Sequence, residues 1–210
     1  MNYANAKKGI GQIYKAEILL LLATVLAIIG SIVALVGASK ESTGGVVAGS
    51  VPLLIAGILA IIAFVMNLVG LSHASKDHPD FKTAWIITLV AIAASIVQSI
   101  LESRGVKVSY IFELISNIAE VLIMLYVVTG IVKIADKLGK SNVSRLGNNS
   151  IKLICGVYIL SAIVNLIGGI FKAKTMTTVA AVIAIIAGIL AIISYVYYLR
   201  TLSQGSKMFD

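Results

Sequence analysis

The stretch VVAGSVPLLIAGILAIIAFVMNLVGL, residues Val46–Leu71, runs for 26 residues without a charged side chain. As a helix it would be about 39 Å long at 1.5 Å per residue, more than the ~30 Å hydrocarbon core of a bilayer. Backbone polar groups in lipid must pair internally, so only helices and closed barrels cross it. The stretch has no period-two alternation of the kind a barrel strand requires, and it reads as a transmembrane helix.

Five further apolar runs flank it: Ile18–Ala38, Thr83–Leu101, Tyr110–Val132, Leu153–Phe171 and Thr177–Leu199. The expected fold is therefore an all-α integral membrane protein, with six transmembrane helices in one domain covering residues 1–210. The composition of the 210 residues, 59% apolar and 12% charged, excludes a soluble domain, which needs charge over its whole surface. Val36-Gly37-Ala38 resembles a signal-peptidase site. The run before it is longer than an ordinary signal core of about 7–15 residues and reads as a retained helix. The single cysteine, Cys155, excludes an intrachain disulfide and a Cys-rich metal site.

The net charge of +8 lacks the basic-plus-aromatic patch of a nucleic-acid binder. Instead the basic residues fall between the apolar runs. Twelve lie at the end shared by the termini and the second and fourth loops, among them Lys7, Lys76, Lys133, Lys140, Arg145 and Lys207. Five lie at the other end: Lys40, Arg104, Lys107, Lys172 and Lys174. The positive-inside rule then puts both termini in the cytoplasm of a plasma-membrane protein. Those loops are expected to meet the bilayer's anionic headgroups. Tyr14, Phe81, Trp85 and the Tyr195, Tyr197, Tyr198 cluster fall near that interface, where amphipathic rings belong. The segment Lys140–Ser150 is the longest polar stretch and is expected to be a mobile loop.

The octet beginning at Ile55 recurs letter for letter at Ile186, and fourteen of twenty-two positions agree through Lys76 and Lys207. Tyr14-Lys15, Phe81-Lys82 and Ile151-Lys152 each precede an odd-numbered run, and Ile118-Ala119-Glu120 matches the octet loosely. These marks suggest three parallel hairpin repeats over residues 14–76, 81–140 and 151–207. Mitochondrial carriers also contain three hairpins, but neither Pro52 nor Pro79 begins their Pro-x-acidic-x-x-basic signature, and that family is excluded.

The fourth run carries Glu113, Asn117 and Glu120 at i, i+4 and i+7, on one helical face. Glu120 falls near mid-membrane, where a carboxyl group costs about 2.5–3.5 kcal/mol on insertion scales and marks a candidate site. No Lys or Arg lies within a run to neutralise it. Gln98 and Asn165 reach a similar depth from the third and fifth runs. The five residues are candidates for a substrate-binding site in the outer half of helices three to five. The competing reading is a protonated Glu120 that serves as interhelical glue.

Small residues recur at four-residue spacing in Ala23, Ala27, Ser31; in Ala91, Ser95, Ser99; and in Ala180, Ala184, Gly188. Such ridges allow helices to approach closely. His73 and His78 with Asp77 and Asp80 form the nearest thing to a metal cluster, but their spacing fits no standard ligand pair. No metal, cofactor or catalytic group is expected, and the chain does not read as an enzyme.

The size, six helices and the Ala23-xxx-Ala27 ridge are similar to the substrate-binding components of energy-coupling-factor transporters. The first loop lacks the aromatic and polar residues those vitamin binders use. The resemblance implies a membrane subunit that binds a small molecule, and the residues imply a small-molecule or cation transporter. The alternative is a non-catalytic scaffold or assembly protein that meets a membrane-protein partner or a second copy through its small-residue faces.

Overall fold

The computed structural model describes residues 3–39, 43–104, 109–170 and 174–209, and side chains throughout these except 43–46, 109, 110, 113, 162–170, 174–182 and 184. The described residues form six helices and no strand: α1 (Ala4–Ser39), α2 (Thr43–Ala74), α3 (Pro79–Ser103), α4 (Ser109–Lys137), α5 (Ser141–Ile170) and α6 (Lys174–Lys207). Each helix packs against the next, α6 returns to α1, and the ring closes. α4 also touches α6, which displaces α5 toward the outside.

α1 contains 36 residues, so at 1.5 Å per residue it is about 54 Å long and overruns a bilayer core by several turns. The overrun lies at the end that carries both termini, hereafter the terminal end. There the hydrophobic core gathers, with Ile10, Ile13, Leu71, Phe81, Ile134, Tyr198 and Leu202 fully buried. Glycines permit the close packing. A Cβ on Gly130 would come within 2.9 Å of the Phe81 ring, and one on Gly205 within 2.9 Å of the Ile131 side chain. Away from this end, Leu35, Leu54, Ile61, Ile185 and Ile192 are 65–70% exposed, which suits lipid and not water.

Among the described residues, five helices are long and apolar enough to cross a membrane: α1, α2, α3, α4 and α6. α5 carries its apolar run in its second half, where side chains from residue 162 on lie outside the described set.

α1 and α2 form the tightest pair. A Cβ on Gly9 would strike the carbonyl oxygen of Gly70, and one on Gly30 would meet that of Gly49 at 2.9 Å. Between these contacts the same register sets Ala16 opposite Ala63 and Ala23 opposite Ala56, all four buried. The seam thus repeats every seven residues on both helices, the period of a left-handed supercoil. The four-residue ridge expected in α1 is not the buried one: Ala23 is buried, Ala27 half-buried and Ser31 exposed.

Two other expectations change. Residues Ser141–Ser150 are the first turns of α5, not a loop. Val143, Gly147, Ser150 and Ile154 share one face and are buried, and a Cβ on Gly147 would collide with the Val132 side chain. The turn before them is short because Gly139, at φ 67°, ends α4, with the Lys140 and Gly139 amides bonding back to the Ala135 and Asp136 carbonyls at 2.9 and 3.1 Å. Phe81 and Tyr198, expected at the lipid–water interface, are instead fully buried in the core.

Ala56, Ala119 and Ala187 are buried, and the residue after each (Gly57, Glu120, Gly188) is exposed. Leu71, Ile134 and Leu202 are fully buried.

Candidate functional site

A partly open cavity of about 640 Å³ lies above the terminal-end core, between α1, α2, α3, α4 and α6. Its existence follows from side-chain size. Thr88, Ala91, Ser95 and Ser99 turn one face of α3 toward it, and Ala60 and Ala63 do the same from α2. Small side chains normally draw helices together. Here α2 and α3 pack least extensively of the helices consecutive in the chain, and the space stays open. The lining stretch of α3 spans about 16 Å along its axis at 1.5 Å per residue.

Two carboxyl groups enter the cavity, Glu17 from α1 and Glu120 from α4. Glu17 is only 9% exposed and is held from two sides. Asn67 Nδ2 donates to its Oε1 at 3.2 Å, and the Tyr195 hydroxyl donates to its Oε2 at 3.0 Å. Those bonds tie α1 to α2 and α6 where the chain passes from polar to apolar, and they set the carboxyl group's position. Tyr195 and Tyr198 close the floor, with Tyr198 continuous with the core beneath. No Lys, Arg or His is among the lining residues described, so neither acid meets a protein cation there.

Of the residues singled out from sequence, Glu120 lines this cavity and is exposed within it. Asn117 is exposed but falls at the edge of the lining face of α4, which runs through Ser116, Ala119, Glu120 and Ile123. Gln98 points along its own helix and donates from Nε2 to Glu102 Oε1 at 2.8 Å. The side chains of Glu113 and Asn165 lie outside the described residues. α5 contributes no described lining residue, and the side chains of its residues 162–170 lie outside the described set. Among the described residues the cavity draws on helices one to four and six, which include the third and fourth of the three suggested from sequence.

Glu17, Asn67, Thr88 and Tyr195 were not among the sequence candidates. Glu17 is one residue before the first apolar run and two after Lys15, so it reads as part of a charged flank. The signal that could have found it is Asn67, a polar amide inside an otherwise apolar helix, which needs a partner.

The four residues of the sequence's candidate metal cluster each serve a different helix. His73 Nδ1 is 2.9 Å from Gln12 Oε1, linking α2 to α1. Asp77 accepts from the Asn5 side chain and from the Ala6 amide at 2.7 Å, and so caps the first turn of α1. His78 caps α3, its Nδ1 accepting from the Asp80 amide at 3.3 Å. Asp80 is ion-paired with Lys133 of α4, whose Nζ lies 3.1 Å from Oδ1 and 2.9 Å from Oδ2. Only the first of these contacts has hydrogen-bond geometry.

The six helices of the described residues, without strands and with lipid-suited faces, define an all-α membrane protein. Compared with family models, curated proteins and solved structures, the chain matches none.

Proposed function

We propose that the protein is a transporter or substrate-binding membrane subunit that takes a small molecule or cation into the cavity bearing Glu17 and Glu120. One observation carries this reading: a void of about 640 Å³ with two carboxyl groups persists inside a ring of helices whose terminal end is densely packed. Structural glue would bring a partner helix against Glu120, whereas Glu120 is exposed within the cavity. This proposal assigns the cavity binding and no covalent chemistry.

The repeat also supports a transporter-like architecture, since three hairpins in a ring share one pattern of burial. The terminal end faces the cytoplasm of a plasma membrane, and its basic residues meet anionic headgroups. A scaffold acting through small-residue faces has weaker support: the α1 and α2 seam is consumed internally, and the α3 ridge lines the cavity.

The test is thermal unfolding of the detergent-solubilised protein against a panel of small charged and neutral metabolites. A ligand at about 100 times its Kd should raise Tm by roughly 5–10 °C. Ala91→Trp, which puts an indole ring into the cavity, should abolish that rise without lowering the ligand-free Tm. If no compound shifts Tm, or the shift survives Ala91→Trp, the reading fails.

A further inference from the structure

The polar atoms of the cavity are predominantly acceptors. Thr88, Ser95 and Ser99 donate their hydroxyl protons to carbonyls one turn back, those of Ala84, Ala91 and Ser95, at 2.9, 3.0 and 3.0 Å. Tyr195 donates its proton to Glu17, and Asn67 gives it an amide proton. What these groups leave toward the void is oxygen lone pairs, together with the carboxyl groups of Glu17 and Glu120. An anion would meet no positive charge and few free donors, and its desolvation would go uncompensated. A cation that donates hydrogen bonds suits the lining.

The remaining wall separates organic from inorganic cations. Apart from the hydroxyls of Ser116 and Tyr198 it is Leu, Ile, Ala, Phe and Met. A bare metal ion needs a nearly complete shell of oxygen ligands. Among the described residues no three His, Cys, Asp or Glu side chains come together to begin one. An apolar body with one positive charge satisfies both parts of the cavity, and the Phe64 and Tyr195 rings add aromatic faces for it.

Building on the proposal that the cavity is a ligand site, we propose that its ligand is an organic monocation, a protonated amine or a delocalised aromatic cation. The charge rests at Glu17 and Glu120, and the apolar body lies along α2 and α3. Because α2 and α3 pack least of the helices consecutive in the chain, such an amphiphile has its way in from the lipid between them.

The experiment uses the full chain in phosphatidylcholine nanodiscs and fluorescence polarisation of ethidium, a planar cation with amine donors. Fluorescein, a planar anion, is the opposite-charge probe, and empty nanodiscs give the baseline. Saturable ethidium binding is expected, with none for fluorescein. Glu120→Gln should weaken binding by at least about ten-fold, and Glu120→Asp should retain most of it. Glu17→Gln should act in the same direction. Wild-type ethidium affinity in both Gln variants, tighter binding of fluorescein, or no saturable ethidium binding overturns the assignment. Ala91→Trp separates the two proposals. If it blocks a probe that the Gln variants still bind, the cavity is a ligand site and the charge class is wrong. If ethidium binding is unchanged by it, the cavity reading falls too.

Discussion

Glu17 and His78 show how much a residue's partners decide that its sequence neighbours do not reveal. Glu17 reads as part of the charged flank before the first apolar run, yet its carboxyl group accepts from Asn67 and Tyr195, 50 and 178 positions away. Glu120 was legible because it interrupts an apolar run; Glu17 was not, because it stands at the edge of one. His78 reads as a turn residue beside Pro79, and it does occupy the turn, but it is buried and caps α3. Burial there pushes the imidazole below its ordinary value of 6.5, partly opposed by Asp80, while Lys133 and Lys137 push it further down. A proton therefore binds the unfolded chain more tightly than the folded one. The stability tied to neutral His78 is complete above pH 6.5 and is lost as pH falls below it. Thermal unfolding between pH 7.5 and 5.5 should show Tm falling in the wild type. His78→Asn, which can still cap the helix, should flatten that fall. An equally steep fall in the variant would place the titrating group elsewhere.

At the scale of elements, helix existence was legible and the packing faces were not. Long uncharged runs announce helices, but a run apolar on every side does not say which side meets a neighbour. In α1 the decisive residues, Gly9, Ala16, Ala23 and Gly30, recur every seven positions, and the first two fall outside the apolar run. The start of α5 failed for the opposite reason. Its Ser, Asn and Gly content reads as loop, while Val143, Gly147, Ser150 and Ile154 form the narrow stripe that packing rewards. The α1–α2 seam gives a paired prediction. Gly9→Ala drives a methyl group into the Gly70 backbone and should destabilise by about 1–3 kcal/mol, lowering Tm by roughly 2–10 °C. Gly11, two residues away, has open space at its Cβ position, so Gly11→Ala should stabilise by about 0.5–1 kcal/mol through helix propensity alone. Circular dichroism melts of both proteins decide it. Equal responses would show that the close approach at Gly9 does not control the pair.

Over the whole molecule, stability is distributed along the axis of the ring, with dense packing at one end and the cavity above it. The all-α membrane class was legible because charge and length are properties of the chain alone. The asymmetry was not, since it depends on helices overrunning the bilayer and meeting one another in water. In that layer, burial of side chains such as Ile10, Leu71, Ile134 and Leu202 provides a hydrophobic driving force that lipid cannot give to helices within it. The layer should therefore be the part that opens last, and the beginning of α5 belongs to it: Ser150 is fully buried and Gly147 fits against Val132. Amide hydrogen exchange separates this picture from a polar loop lying on the headgroups. Amides of residues 145–150 should exchange at least about a hundred-fold more slowly than those of the Leu138–Lys140 turn, the contrast expected between a packed cooperative unit and an exposed connection. They should also slow in parallel with residues 128–134 of α4, whose side chains they cover. Exchange at the turn's rate would mean that this stretch is not a folded part of the layer. The floor beneath Glu17 would then lack the support that holds the cavity in its present shape.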